Sequence, residues 1–146
     1  MALQIYQTDT WLQPYAKTID WRHNRAINRI EDLKGECGGL SNYADAYKYY
    51  GLHKVGEEWV LREYAPNATS ICIVGDFNGW KQDKAYEMLR LTDGNWELRF
   101  PKNSIKHGDK FKMLVRWNGG EGERLPAYIN RVVQNENTKV FDAQAW

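Results

Sequence analysis

Trp80 ends the stretch Gly75-Asp76-Phe77-Asn78-Gly79-Trp80, directly after the apolar run Thr69-Ser70-Ile71-Cys72-Ile73-Val74. Tryptophan is costly to leave in water, yet the residues around it are those of a tight turn. Either the turn folds back and buries the ring, or it holds the ring out for a ligand. An indole offers a flat apolar face and one N–H donor, a pairing that suits recognition of sugars or peptides. Groups for bond-making chemistry are not arranged for it. His23, His53 and His107 lie far apart without metal-ligand spacing, and the chain has no Cys-x-x-Cys, no Gly-x-Gly-x-x-Gly and no phosphate-binding loop. Nor does it carry a nucleophile elbow. Glu57-Glu58, and Glu121 with Glu123, read as solvated loop charges and not as an acid/base pair. The residues describe a binding or docking module, with no catalytic set, no metal and no cofactor implied.

The bulk numbers agree with that class. The chain has 146 residues, room for one domain and an appendage. A net charge of +1 supplies no global field toward nucleic acid or an anionic membrane. Seven Trp and nine Tyr are many for this length, which fits either aromatic recognition or a β-rich core. Cys37 and Cys72 read as unpaired thiols of a reducing compartment, the cytoplasm. The first ten residues lack a basic start and a long apolar run, so no signal peptide is expected, and no segment is apolar enough to span a membrane.

Two kinds of element must position these residues. In the first third, Leu12, Tyr15, Ile19, Ala26, Ile30 and Leu33 recur at helical steps. The pattern predicts a helix from about Trp21 to Lys34, capped by Asp20, with Arg22, Arg25 and Arg29 on its wet flank and Gly35, Gly38 and Gly39 ending it. A shorter helix is predicted next, capped by Ser41 and ending at Gly51. This leader, residues 1–54, cannot close a core alone and is expected to pack on the rest. From about Glu57, residues 55–146 change to short strands separated by turns. Expected strands cover the segments EEWVLREYA, TSICIVGDF, YEMLRL, WELRF, KFKMLVRW, RVVQ and TKVFDA. Asp93-Gly94 between two alternating runs predicts a hairpin. Alternation places Trp96, Leu98 and Phe100 on one face, and Phe111, Met113, Val115 and Trp117 together against Lys110, Lys112, Leu114 and Arg116. Six to eight strands at this spacing predict a mainly β, immunoglobulin-like sandwich behind a helical leader.

The segments WVLREYAPNATSICIVGDFNGW, GNWELRFP, HGDKFKMLV and RLPAYINRVVQ, in that order, resemble the family 48 carbohydrate-binding module. The leader WLQPYAKTIDWRHNRAINRIEDL and the segment YKYYGLH narrow the likeness to the N-terminal region of 1,4-alpha-glucan branching enzymes. That resemblance implies an immunoglobulin-like sandwich ahead of a catalytic barrel. It implies α-1,4-glucan as partner (glycogen, maltooligosaccharides), with the barrel of the same parent chain as a second partner. Branching chemistry would belong to an Asp nucleophile and a Glu acid/base on the barrel, so this chain is expected to be an inactive fragment of an enzyme. The resemblance makes Trp80 a sugar platform, with Asn78, Lys112 and Trp117 as neighbouring contacts. It adds a second site in a groove between leader and sandwich: Glu36, Tyr64, Pro66, Asp93, Gly94 and Asn95. Tyr64 stands where the family usually has Trp, and the loop Asn118–Glu123 is Gly-rich and departs from the pattern. Two other readings stay open: a docking module for the barrel with little sugar binding, and a stand-alone glycogen-targeting module, against which the leader speaks.

Overall fold

The computed structural model describes residues 3–101 and 103–146. They form two units, Met1–Ala46 and Tyr47–Trp146. The first is helical. After α1 (Ile5–Thr8), Asp9 accepts the Trp11 amide at 3.0 Å and starts a 3-10 turn, Thr10–Tyr15, that accommodates Pro14. Helix α2 (Ala16–Cys37) starts earlier and ends later than the apolar spacing predicts. Asp20 lies inside it, and its carboxylate accepts the Tyr6 hydroxyl at 2.8 Å in place of capping the helix. A contact across fourteen residues thus overrides a local capping preference. Gly38, at φ +73°, turns the chain out of α2, and the Asn42 side-chain Nδ2 donates to the Cys37 carbonyl at 3.0 Å.

The predicted helix ending at Gly51 is instead two single turns, α3 (Leu40–Tyr43) and α4 (Ala46–Tyr49), followed by a strand. That strand, β1 (Gly51–Val55), pairs along its whole length with β2 (Glu58–Tyr64). Only Leu52 of β1 enters the core, so alternation gave it no signature. Its first residue has to be glycine: φ is +92°, and a Cβ there would lie 2.1 Å from the Tyr128 carbonyl oxygen.

The second unit is two antiparallel sheets around one core. One sheet has the order β1-β2-β5-β4, with β4 (Leu89–Arg90) and β5 (Asn95–Arg99). The other has the order β3-β6-β9-β8, with β3 (Ala68–Gly75), β6 (Lys110–Trp117), β8 (Val132–Gln134) and β9 (Phe141–Gln144). The strand β7 (Gly120–Arg124) adds to β6 beside β9, where the sequence suggested only a Gly-rich loop. Most of YEMLRL is not strand: a 3-10 turn, Lys84–Tyr86, comes first, and Tyr86 and Met88 drop into the core. Leu61, Trp96, Leu98 and Phe100 from the first sheet meet Ile71, Ile73, Phe111, Met113 and Ala143 from the second. This is the sandwich that alternation predicted, because each sheet has one apolar face to hide. Among the described residues, no helix is long and apolar enough to cross a membrane.

Candidate functional site

The turn after β3 divides its two aromatics between core and surface. The Asn78 side chain is used at both ends by the turn: its Oδ1 accepts the Gly75 amide and its Nδ2 donates to the Ile73 carbonyl, each at 2.9 Å. Gly79 and Trp80 are both left-handed, with φ +61° and +60°. Phe77 points inward and meets Tyr86 and Phe100 at ring separations of 4.9 and 5.4 Å. Trp80 stays 40% exposed. Its indole N–H donates to Asp76 Oδ1 at 3.0 Å, while Asp76 Oδ2 accepts the Lys110 amide at 2.8 Å. The ring is therefore held by its edge and its amide neighbours. It borders a hollow shared with Val74, Gln82, Leu114, Glu121 and Glu123.

Lys112 lies on the same outer face of β6 as Leu114. Its ammonium sits 2.9 Å from Glu123 Oε2 and 3.4 Å from Asp142 Oδ1. Burial alone would depress the ammonium pKa, but the two carboxylates outweigh it and hold it above its ordinary value. Arg116 next along the strand donates to Glu121 at 2.8 Å and to Gln82 at 2.6 Å. Glu121 and Glu123, read as solvated loop charges, are thus ordered by cations on the neighbouring strand. Trp117 is on the opposite face, as its alternation with Phe111 and Met113 requires. It lines an apolar hollow with Ala65, Pro66, Ala68 and Val115, and the Arg124 guanidinium stands 5.4 Å from its ring. The structure brings Trp117 to Pro66 and not to Trp80.

The hairpin turn builds a second surface. Asp93 and Gly94 have φ +56° and +81°, and a Cβ on Gly94 would come within 2.7 Å of Pro66 Cβ. Pro66 is fixed there: the Ala65 amide donates to the Gly94 carbonyl at 2.9 Å, the Trp96 indole to the Ala65 carbonyl at 3.0 Å, and Arg90 to the Pro66 carbonyl at 3.1 Å. Tyr64 pairs across the ladder with Asn95 and is exposed. Asn95 accepts the Tyr50 hydroxyl at 2.5 Å. Tyr50 stacks on Tyr128 at 5.8 Å and meets the edge of Tyr49 at 5.0 Å, and Arg62 lies 4.7 Å over the Tyr49 ring. Sequence reasoning missed Tyr49, Tyr50 and Tyr128. The density of tyrosine in YKYY, and the place of Tyr128 in RLPAYINRVVQ, are the signals that the sequence offers for them. Glu63 is buried at the end of β2, where burial pushes its carboxyl up despite bonds accepted from the amides of Ala127 and Tyr64. Glu36 belongs to the helical unit, exposed in the last turn of α2 and 3.7 Å from Arg29. Among the described residues, no group of three or more His, Cys, Asp and Glu could hold a metal.

The family described as Carbohydrate-binding module 48 (Isoamylase N-terminal domain) matches residues 49–129. A 1,4-alpha-glucan-branching enzyme of Dictyostelium discoideum is 34% identical over 98% of this chain, which spans 22% of that protein. The enzyme of the same name from Emericella nidulans is 35% identical over 97% of the chain, again 22% of the relative. The chain thus spans about a fifth of the length of the curated relatives it matches. Among solved structures, the pullulanase of an Anoxybacillus species superposes over 66% of this chain and 13% of its own, with a TM-score of 0.52 at 16% identity. That likeness carries the sandwich fold. The family match begins at Tyr49, the last residue of α4, and runs through both aromatic surfaces to Ile129. The chain belongs to the carbohydrate-binding module 48 family.

Proposed function

We propose that this chain is the glucan-binding N-terminal region of a 1,4-alpha-glucan branching enzyme that forms α-1,6 branches in glycogen in the cytoplasm. The observation that carries the reading is the Trp80 indole, clamped by its edge to Asp76 with part of its face open beside hydrogen-bonding side chains. A pyranose presents C–H groups on one face. Laid on a fixed indole it gains apolar contact without ordering the ring, and its hydroxyls reach polar groups at the rim. Asn78 and Lys112 support that strip. Tyr64, Pro66, Asp93, Gly94 and Asn95 form the second contact region, to which Trp117 adds from the Pro66 hollow. The name of the relatives, 1,4-alpha-glucan-branching enzyme, supports the assignment to that enzyme. The parent enzyme would cleave an α-1,4-glucan, hold the fragment on its barrel and pass it to a 6-hydroxyl, and the barrel would be this module's partner within one chain. The residues of this chain bind and present glucan.

Titration of the chain with maltoheptaose, followed by tryptophan fluorescence, tests this. Saturable binding is expected with a dissociation constant on the order of 0.1–10 mM, as for shallow platforms. Cellohexaose, with β linkages, should compete poorly. Tyr64→Ala should weaken binding if the hairpin surface holds sugar. No saturable response to maltoheptaose in the folded chain would leave the docking reading in its place.

A further inference from the structure

Lys112 and Glu123 form one ion pair on the outer face of the second sheet, but only one of them is open to a ligand. The Lys112 side chain is 11% exposed and already lies between two carboxylates. Drawing its ammonium toward a sugar would leave the buried Asp142 carboxylate uncompensated, which is strongly unfavourable. The Glu123 side chain is 57% exposed. Its Oε2 is tied to Lys112, and its Oε1 has no partner among the described residues. Glu123 borders the Trp80 hollow, whereas Lys112 borders only a neighbouring one. A carboxylate accepts hydrogen bonds through both oxygens, and a charged acceptor bonds a hydroxyl about twice as strongly as a neutral one. Glu121 follows on the same face of β7, held by Arg116, and extends the ledge opposite the indole.

We infer that Glu123 is the hydroxyl-accepting carboxylate of the Trp80 site, and that Lys112 is a positioning residue that acts through it. The inference rests on the glucan-binding reading and names the polar half of that site. Trp80 supplies the apolar floor, Glu123 selects the orientation of the hydroxyls, and the ion pair to Lys112 spares the carboxylate the entropy of being ordered on binding.

The test is a double-mutant cycle on maltoheptaose affinity, read from backbone amide chemical shifts in every variant, with melting temperature as the check on folding. Glu123→Ala should weaken binding roughly three- to tenfold with little change in melting temperature. Glu123→Gln, which keeps one acceptor, should fall between. Lys112→Met is made together with Asp142→Asn, so that no buried carboxylate is left alone. That pair should weaken binding in the native background and have no further effect once Glu123 is Ala. Unchanged affinity in Glu123→Ala, with binding still lost in Trp80→Ala, overturns the inference and leaves the glucan-binding reading standing. Equal losses from the Lys112 pair in both backgrounds also overturn it, since Lys112 then contacts sugar itself. Binding that survives Trp80→Ala removes the site reading and this inference with it.

Discussion

Replacing Trp80 by alanine should damage binding and stability in separable amounts. A tryptophan side chain carries on the order of 200–250 Å². Trp80 is 40% exposed. At about 25 cal/mol per Å², the covered three-fifths corresponds to roughly 3 kcal/mol, and to about 2 kcal/mol once the compactness of the unfolded chain is allowed for. For a chain of this length that loss lowers the melting temperature by about 4–8 °C. The open part offers a ligand about 90 Å², a ceiling of roughly 2 kcal/mol. Covering half or more of it, plus the dispersion of a ring-on-ring contact, leaves about 1–2 kcal/mol, a five- to thirtyfold rise in the dissociation constant. Trp80→Phe separates the contributions: it keeps a ring but loses the bond from the indole N–H to Asp76. It should recover most of the affinity and part of the stability. Maltoheptaose titration and thermal melting of all three proteins supply both numbers. A melting temperature lowered as calculated, with affinity unchanged in folded Trp80→Ala, would show that the ring serves packing alone and refute the platform argument.

Two further outcomes follow from the same geometry. Gly94→Ala should destabilise the sandwich by about 2–4 kcal/mol, since it adds left-handed strain of roughly 1–2 kcal/mol to a Cβ at 2.7 Å from Pro66, and a urea midpoint equal to the native one would contradict it. Stability should depend on pH in two opposed steps. Glu63, raised by burial, adds stability as pH falls through its folded pKa toward about 4.5, and Glu97 removes it below that point. Burial would raise Glu97 too, but Arg62 and Arg99 outweigh it and hold its carboxyl below the ordinary range, so its contribution is lost only as pH falls through that lowered value. Urea melts across pH 3–8 should peak on the acid side of neutrality; Glu63→Gln should erase the rise and Glu97→Gln the fall.

Period-two alternation and turn chemistry were enough to determine a large part of this protein. Phe111, Met113, Trp96 and Leu98 face inward because a half-buried strand hides every second residue, and the same rule put Trp117 on the core side and Lys112 outside. Asp93-Gly94 made a hairpin because its two left-handed residues match the twist of paired strands. The motif around Trp80 was likewise legible as a turn with an aromatic to place. What sequence could not decide were the edges and the long-range pairs. Strands β1 and β7 are short, and each carries glycine, so they have no alternation to read and exist because a neighbouring strand offers them hydrogen bonds. Tyr50 finds Asn95 across 45 residues of chain, Gly51 passes under the Tyr128 carbonyl, and Lys112 meets Asp142 thirty positions away. Such contacts depend on which strands lie side by side, a property of the folded chain as a whole. Whether Trp80 or its neighbour Phe77 would be buried was settled in the same way, by the shape of the space between Tyr86 and Phe100 that only one ring fills.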